Sequence, residues 1–175
     1  MKEMIRYGFV LAVICIVAGG LLAGMNSLTK ARILAQAQTE EENSLKEVFS
    51  EGADFEAVKS QEEVIYYKAL DRQGRLAGVA FKTSGKGYSS IIETMVGMLN
   101  DGTITAIKIL SQNETPGLGA QVSESKFTDQ FANKSVQALS DVEAITGATI
   151  SSRAVIDSVE KKAEEIKGLI KDEPR

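Results

Sequence analysis

Residues 91–110 read Ile-Ile-Glu-Thr-Met-Val-Gly-Met-Leu, then Asn-Asp-Gly, then Thr-Ile-Thr-Ala-Ile-Lys-Ile-Leu. Two runs dense in β-favouring residues flank an Asp-Gly dipeptide, whose tolerance of positive φ suits the tight reversal of a β-hairpin. A second hairpin signal precedes this one. Residues 64–69 and 76–82 are β-rich and lie on either side of Asp71-Arg72-Gln73-Gly74-Arg75, a turn by composition. Successive hairpins make antiparallel β the core of the fold. Downstream the period changes: Val155, Val159, Ala163, Ile166 and Ile170 recur at helical spacing within 151–171. This predicts an amphipathic helix whose stripe is core, with Lys161, Lys162, Glu164 and Glu165 on its solvated face. Residues 127–131 predict a shorter helix of the same kind. The fold class is therefore α+β, an antiparallel sheet packed by helices.

Upstream, residues 7–29 form 23 positions without a charge, rich in Val, Ile, Leu and Ala, enough to cross a hydrocarbon core as a helix. Lys2 and Arg6 before it, with small Ala23 and Gly24 within it, also fit a cleaved signal peptide. The run is longer than a usual signal core, and residues 26–49 keep helical character through Ile33, Ala37, Leu45 and Val48, which argues for an uncleaved anchor continuing as a stalk helix. Gly52-Ala53-Asp54 is expected to end that helix. Leu22-Ala23-Gly24 has the look of a lipobox, but Met25 stands where lipidation needs Cys. The expected organisation is an anchor over 1–32, a stalk helix and linker over 33–60, and a folded domain over 61–175. Lys2 and Arg6 on one side nearly balance Lys30 and Arg32 on the other, so flanking charges orient the span weakly. From Ile33 onward, 16 basic and 23 acidic residues give −7, against +3 for the first 32 residues, which places the N-terminus in the cytoplasm and the domain outside.

Composition excludes several chemistries. With 175 residues and 43% hydrophobic content the chain holds one domain with a real core beside the span. It contains no His and a single Cys, Cys15, so His-based catalysis, a Cys/His metal centre and an internal disulfide are all out of reach of this chain. Cys15 lies in the apolar run and reads as a small packing residue. An acidic domain argues against nucleic-acid and anionic-lipid partners.

Two segments speak about chemistry. Residues 143–152 read Glu-Ala-Ile-Thr-Gly-Ala-Thr-Ile-Ser-Ser and open the last predicted helix. This places the Thr149 hydroxyl behind a roomy Gly147-Ala148 pair, where helix N–H groups favour a phosphate. Thr and Ser are also ordinary helix N-caps, so plain capping explains the same run. Residues 114–119 read Glu-Thr-Pro-Gly-Leu-Gly, with Pro116-Gly117 suited to a tight turn and Gly119 to close approach by another group.

The first run resembles the flavinylation motif of the FMN-binding domain family, Asp-x-x-[Ser/Thr]-Gly-Ala-[Thr/Ser], whose final hydroxyl holds FMN as a phosphoester. Glu143 replaces the usual Asp, with Asp141 two residues earlier. The loop at 114–119 and the hairpin from Gly87-Tyr88 onward resemble other stretches of the same family. With one apolar span and a short chain, the likeness extends to the G subunits (RnfG) of Rnf-type ion-translocating electron-transport complexes. The resemblance implies covalent FMN on Thr149, with Thr146, Gly147, Ala148, Ser151 and Ser152 about its phosphate. It places Glu114, Thr115, Gly117 and Leu118 near the ring. It further implies maturation by a flavin transferase using FAD, membrane partner subunits, and electron relay between ferredoxin and NAD coupled to Na+ or H+ movement. Rival readings are a component like the C subunit of a Na+-translocating NADH:quinone oxidoreductase, a stand-alone extracytoplasmic flavin shuttle, and a non-redox ectodomain in which Thr149 is only a cap.

Overall fold

The computed structural model describes residues 2–49, 54–60, 63–71 and 73–171. Contacts divide the chain into two units, one up to Glu40 and one from Glu41 onward. The first helix, α1, runs over Lys2–Val48, and its stretch Glu3–Lys30 is long and apolar enough to cross a membrane. Leu11, Ile14, Leu21 and Leu28 are all exposed on it. Apolar side chains bare around a whole helix are unfavourable in water and matched by lipid. The helix ends at Val48; Gly52 and Ala53, expected to stop it, lie outside the described residues.

In the second unit, five strands form one antiparallel meander in the order β1-β2-β3-β4-β5: Asp54–Ser60, Glu63–Leu70, Leu76–Lys86, Ile91–Leu99 and Ile104–Ser111. The β4–β5 hairpin is the one read from Asp101-Gly102. Gly102 takes φ 91° and donates its N–H to the Leu99 carbonyl at 2.9 Å, closing the loop that its left-handed conformation permits. Strand β1 was not expected. Its alternation is weak, and as an edge strand paired on one side it needs little apolar content. Strand β3 outruns the expected 76–82 because Thr83–Lys86 pair with the start of β4, and Thr83 donates its hydroxyl to the Ser158 carbonyl at 2.9 Å.

Strand alternation sends neighbouring side chains to opposite faces. On one face Val79 and Phe81 of β3 with Ile92, Val96 and Met98 of β4 meet the last helix, α3 (Thr149–Lys171). Its predicted stripe is fully buried there at Val155, Val159, Ala163 and Ile166, with Ile170 at its end half-buried against the same core. The shorter helix resolves into α2, Ser125–Thr128, followed by a 3-10 turn to Phe131. Phe127 and Phe131 pack edge to face at 5.4 Å, a geometry that contributes about 0.5–1.5 kcal/mol beyond area burial. On the other face Ala80 and Met95 meet Leu45 and Val48 from the end of α1. There Lys82 pairs with Glu41 at 2.7 Å, and the Tyr67 hydroxyl donates to the same carboxylate. Burial and that bond push the Tyr67 phenol well above its ordinary range.

Candidate functional site

The site begins where the chain turns into α3. Gly147 adopts φ 83°, a conformation that L side chains rarely take, and reverses the backbone so that the Ala148 N–H reaches the Ile145 carbonyl at 2.9 Å. The helical ladder opens with the Ser152 N–H on the Ala148 carbonyl at 2.9 Å. The N–H groups of Thr149, Ile150 and Ser151 precede it and have no acceptor within the helix, which gives this end its partial positive charge. Thr149, the first helical residue, is exposed. Ser152 is fully buried, and its hydroxyl is spent inside the protein: it accepts the Ile145 N–H at 3.0 Å and donates to the Ala148 carbonyl at 2.9 Å.

Beside this terminus sits a buried carboxylate. Glu114 is 6% exposed and accepts the N–H groups of Tyr88, Ser89 and Ser90 at 3.1, 3.0 and 2.8 Å. The Ser90 hydroxyl donates to it at 3.1 Å and the Ser151 hydroxyl at 2.6 Å. Burial alone would raise its pKa, but the Ser151 hydroxyl and the Ser90 and Ser89 amides outweigh that and hold it at about 2. One charge thus ties three segments together: the β3–β4 turn, the 114–119 loop and α3. Gly119 makes room for the tie, since a Cβ there would lie 2.6 Å from Ser151 Oγ and 2.7 Å from Glu114 Oε2. The Pro116-Gly117 turn forms as read, with Gly117 at φ 75° and the Leu118 N–H on the Thr115 carbonyl at 3.1 Å.

These segments enclose a cleft of about 410 Å³, within the range of small-molecule sites. Of the residues expected to form a site, Glu114, Thr115, Leu118, Gly147, Ala148, Thr149 and Ser151 line it together. Three others lie elsewhere. Ser152 is buried behind the turn, Gly117 sits at the loop tip with its carbonyl taken by the Gln121 side chain, and Thr146 lines a second cleft of about 280 Å³ with Gln130 and Glu143. The lining also includes Gly119, read from the sequence as a point of close approach, and Tyr88 and Ile150, which sequence reasoning did not single out. Tyr88, Leu118 and Ile150 are 73%, 48% and 57% exposed, so the cleft has apolar walls over a polar floor. Its lining, among the described residues, holds no cation, and the one charge there, on Glu114, is saturated by donors. A flat apolar ring against the walls, with a phosphate on the free N–H groups of α3, fits both halves of this surface.

The antiparallel sheet, the glycine-opened helix terminus and the apolar-walled cleft together form the candidate site of this domain. The sequence profile of the FMN-binding domain matches residues 87–164, which include every wall of the cleft. The RnfG N-terminal region matches residues 1–48, which include all of α1. The class is a membrane-anchored FMN-binding domain. The G subunit of the ion-translocating oxidoreductase complex of Methanosarcina acetivorans is 35% identical over 90% of this chain and 92% of its own length. The G subunits of the proton-translocating ferredoxin:NAD(+) oxidoreductase of Clostridium ljungdahlii and the Na(+)-translocating one of Acetobacterium woodii are each 31% identical. They cover 89% and 97% of this chain and 88% and 95% of their own lengths. The crystal structure of the C subunit of Na(+)-translocating NADH-quinone reductase from Parabacteroides distasonis shares the fold, with a TM-score of 0.51 and 21% identity over 63% of each chain. The chain belongs to the RnfG family, the G subunits of ion-translocating oxidoreductase complexes. Among the described residues Glu3–Lys30 is the one helix long and apolar enough to span a bilayer, and the chain is a membrane protein anchored through it.

Proposed function

We propose that this chain is the flavin relay of an Rnf-type complex, carrying FMN as a phosphoester on Thr149 and passing electrons between membrane partners while the complex moves Na+ or H+. The observation that carries this reading is an exposed hydroxyl on the first turn of α3, at the rim of a cleft with apolar walls and no cation. A free phosphate monoester bears about −1.5 to −2 charges at neutral pH and favours a cationic partner. Once esterified to a threonine it bears one, which backbone N–H groups at a helix terminus can hold. The bound FMN supplies reversible electron uptake; the protein supplies tether, walls and field.

The tether suits a domain outside the cytoplasm, where a dissociated cofactor would be diluted, and attachment requires a flavin transferase using FAD. The relatives in Clostridium ljungdahlii and Acetobacterium woodii are named for different ions at the same identity, and residues 7–29 of this chain carry no charge. The ion path therefore belongs to partner subunits. Intact mass of the chain purified from its host tests the assignment: an FMN adduct is expected in the wild type and absent from Thr149→Val, with the variant still folded. An adduct retained in Thr149→Val would place the ester on another residue.

A further inference from the structure

We propose that the phenol ring of Tyr88 stacks on the isoalloxazine of the Thr149-linked FMN and forms the aromatic wall of the cleft, an inference that rests on the function proposed above. Among the described residues, Tyr88 is the one aromatic in the cleft lining. Its backbone is fixed while its ring is bare. Three consecutive N–H groups, of Tyr88, Ser89 and Ser90, converge on the Glu114 carboxylate, and the Gly87 N–H closes the turn on the Ser90 carbonyl at 2.8 Å. The side chain itself is 73% exposed. A large aromatic carried on a rigid turn and left uncovered is poised to meet a ligand, because the ordering of its backbone is already met and its apolar face remains to be buried. Leu118 and Ile150, half-exposed in the same lining, offer aliphatic cover to the same flat group. The other tyrosines in the domain are engaged elsewhere: Tyr66 is buried in the main core, and Tyr67 hydrogen-bonds Glu41 across the opposite face of the sheet.

The chain has no Trp and four Tyr, which makes the test clean. A phenol in contact with a photoexcited flavin gives it an electron and takes it back, extinguishing emission with no net chemistry; a phenylalanine ring in the same place does not. The full-length, flavin-loaded chain in detergent is compared with Tyr88→Phe, with Tyr67→Phe as a control. Emission yield and lifetime are read per bound flavin, and the adduct is counted by intact mass. Tyr88→Phe is expected to keep the adduct and to emit severalfold more brightly with a longer lifetime. Tyr67→Phe is expected to match the wild type, and unfolding is expected to bring all three to one brightness. Unchanged emission from Tyr88→Phe with the adduct intact would overturn the stacking and leave the Thr149 ester standing. A wild-type chain without the adduct mass would remove the ester, and the stacking with it.

Discussion

Glu114 keeps its charge against a burial that pushes its pKa upward. Its carboxyl, ordinarily near 4.5, sits at about 2 in the folded protein because hydrogen bonds from Ser151, Ser90 and Ser89 outweigh desolvation. At 1.36 kcal/mol per pKa unit, that difference is worth about 3 kcal/mol of folding stability at neutral pH. A depressed folded pKa means the contribution is complete above the unfolded value of 4.5 and disappears as pH falls through about 2. Glu114→Gln keeps an acceptor on one side but turns an amide N–H2 towards backbone N–H donors. Domain unfolding by urea is expected to show a loss of about 2–3 kcal/mol at pH 7, with a smaller gap from wild type at pH 3. Equal stability of the two proteins at pH 7 would sink the clamp. The sequence marked Glu114 as part of a cofactor loop. The donors that converge on it come from 24, 25, 26 and 37 residues away, a coincidence only the folded chain creates.

The start of α3 shows what periodicity reveals and what it conceals. Ser151 and Ser152 both read as hydroxyls near a phosphate, yet neighbours on a helix point about 100° apart. Ser151 turns to Glu114 and Ser152 to the Ile145–Ala148 turn, so each holds the protein together while the backbone N–H groups remain for a ligand. The helix itself, the hairpins and the Pro116-Gly117 turn were legible because their signals are local. The edge strand β1 escaped because its partner supplies what its own seven residues lack. Tyr88 escaped because an exposed aromatic beside Gly87 carries no period; only the cleft gives it meaning. Ser152→Ala leaves the partly buried Ile145 N–H without its acceptor, at a cost of about 1–3 kcal/mol. It is expected to lower the melting temperature and the flavinylated fraction modestly, where Thr149→Val is expected to abolish flavinylation. Complete loss of the adduct from a folded Ser152→Ala protein, read by intact mass, would speak against Thr149 as the acceptor.

At the scale of the whole molecule, the charge balance has to decide which side of the bilayer carries the flavin. Lys2 and Arg6 face Lys30 and Arg32 across the span, so the flanks alone are nearly neutral to the choice. The domain is net acidic from Ile33 onward, at −7, and a tethered cofactor is most useful where a lost one cannot be recovered. Both arguments favour the domain outside. The chain's single cysteine, Cys15, lies within the apolar stretch, so a reporter is easily isolated. In a Cys15→Ser background, Glu164→Cys replaces an exposed residue on α3. Intact cells treated with a membrane-impermeant maleimide are expected to label it fully, with no gain on permeabilisation. Labelling that appears only after permeabilisation would place the domain in the cytoplasm and remove the retention argument for a covalent flavin. The relay would then have to meet its electron donor on the ferredoxin side of the membrane rather than across it.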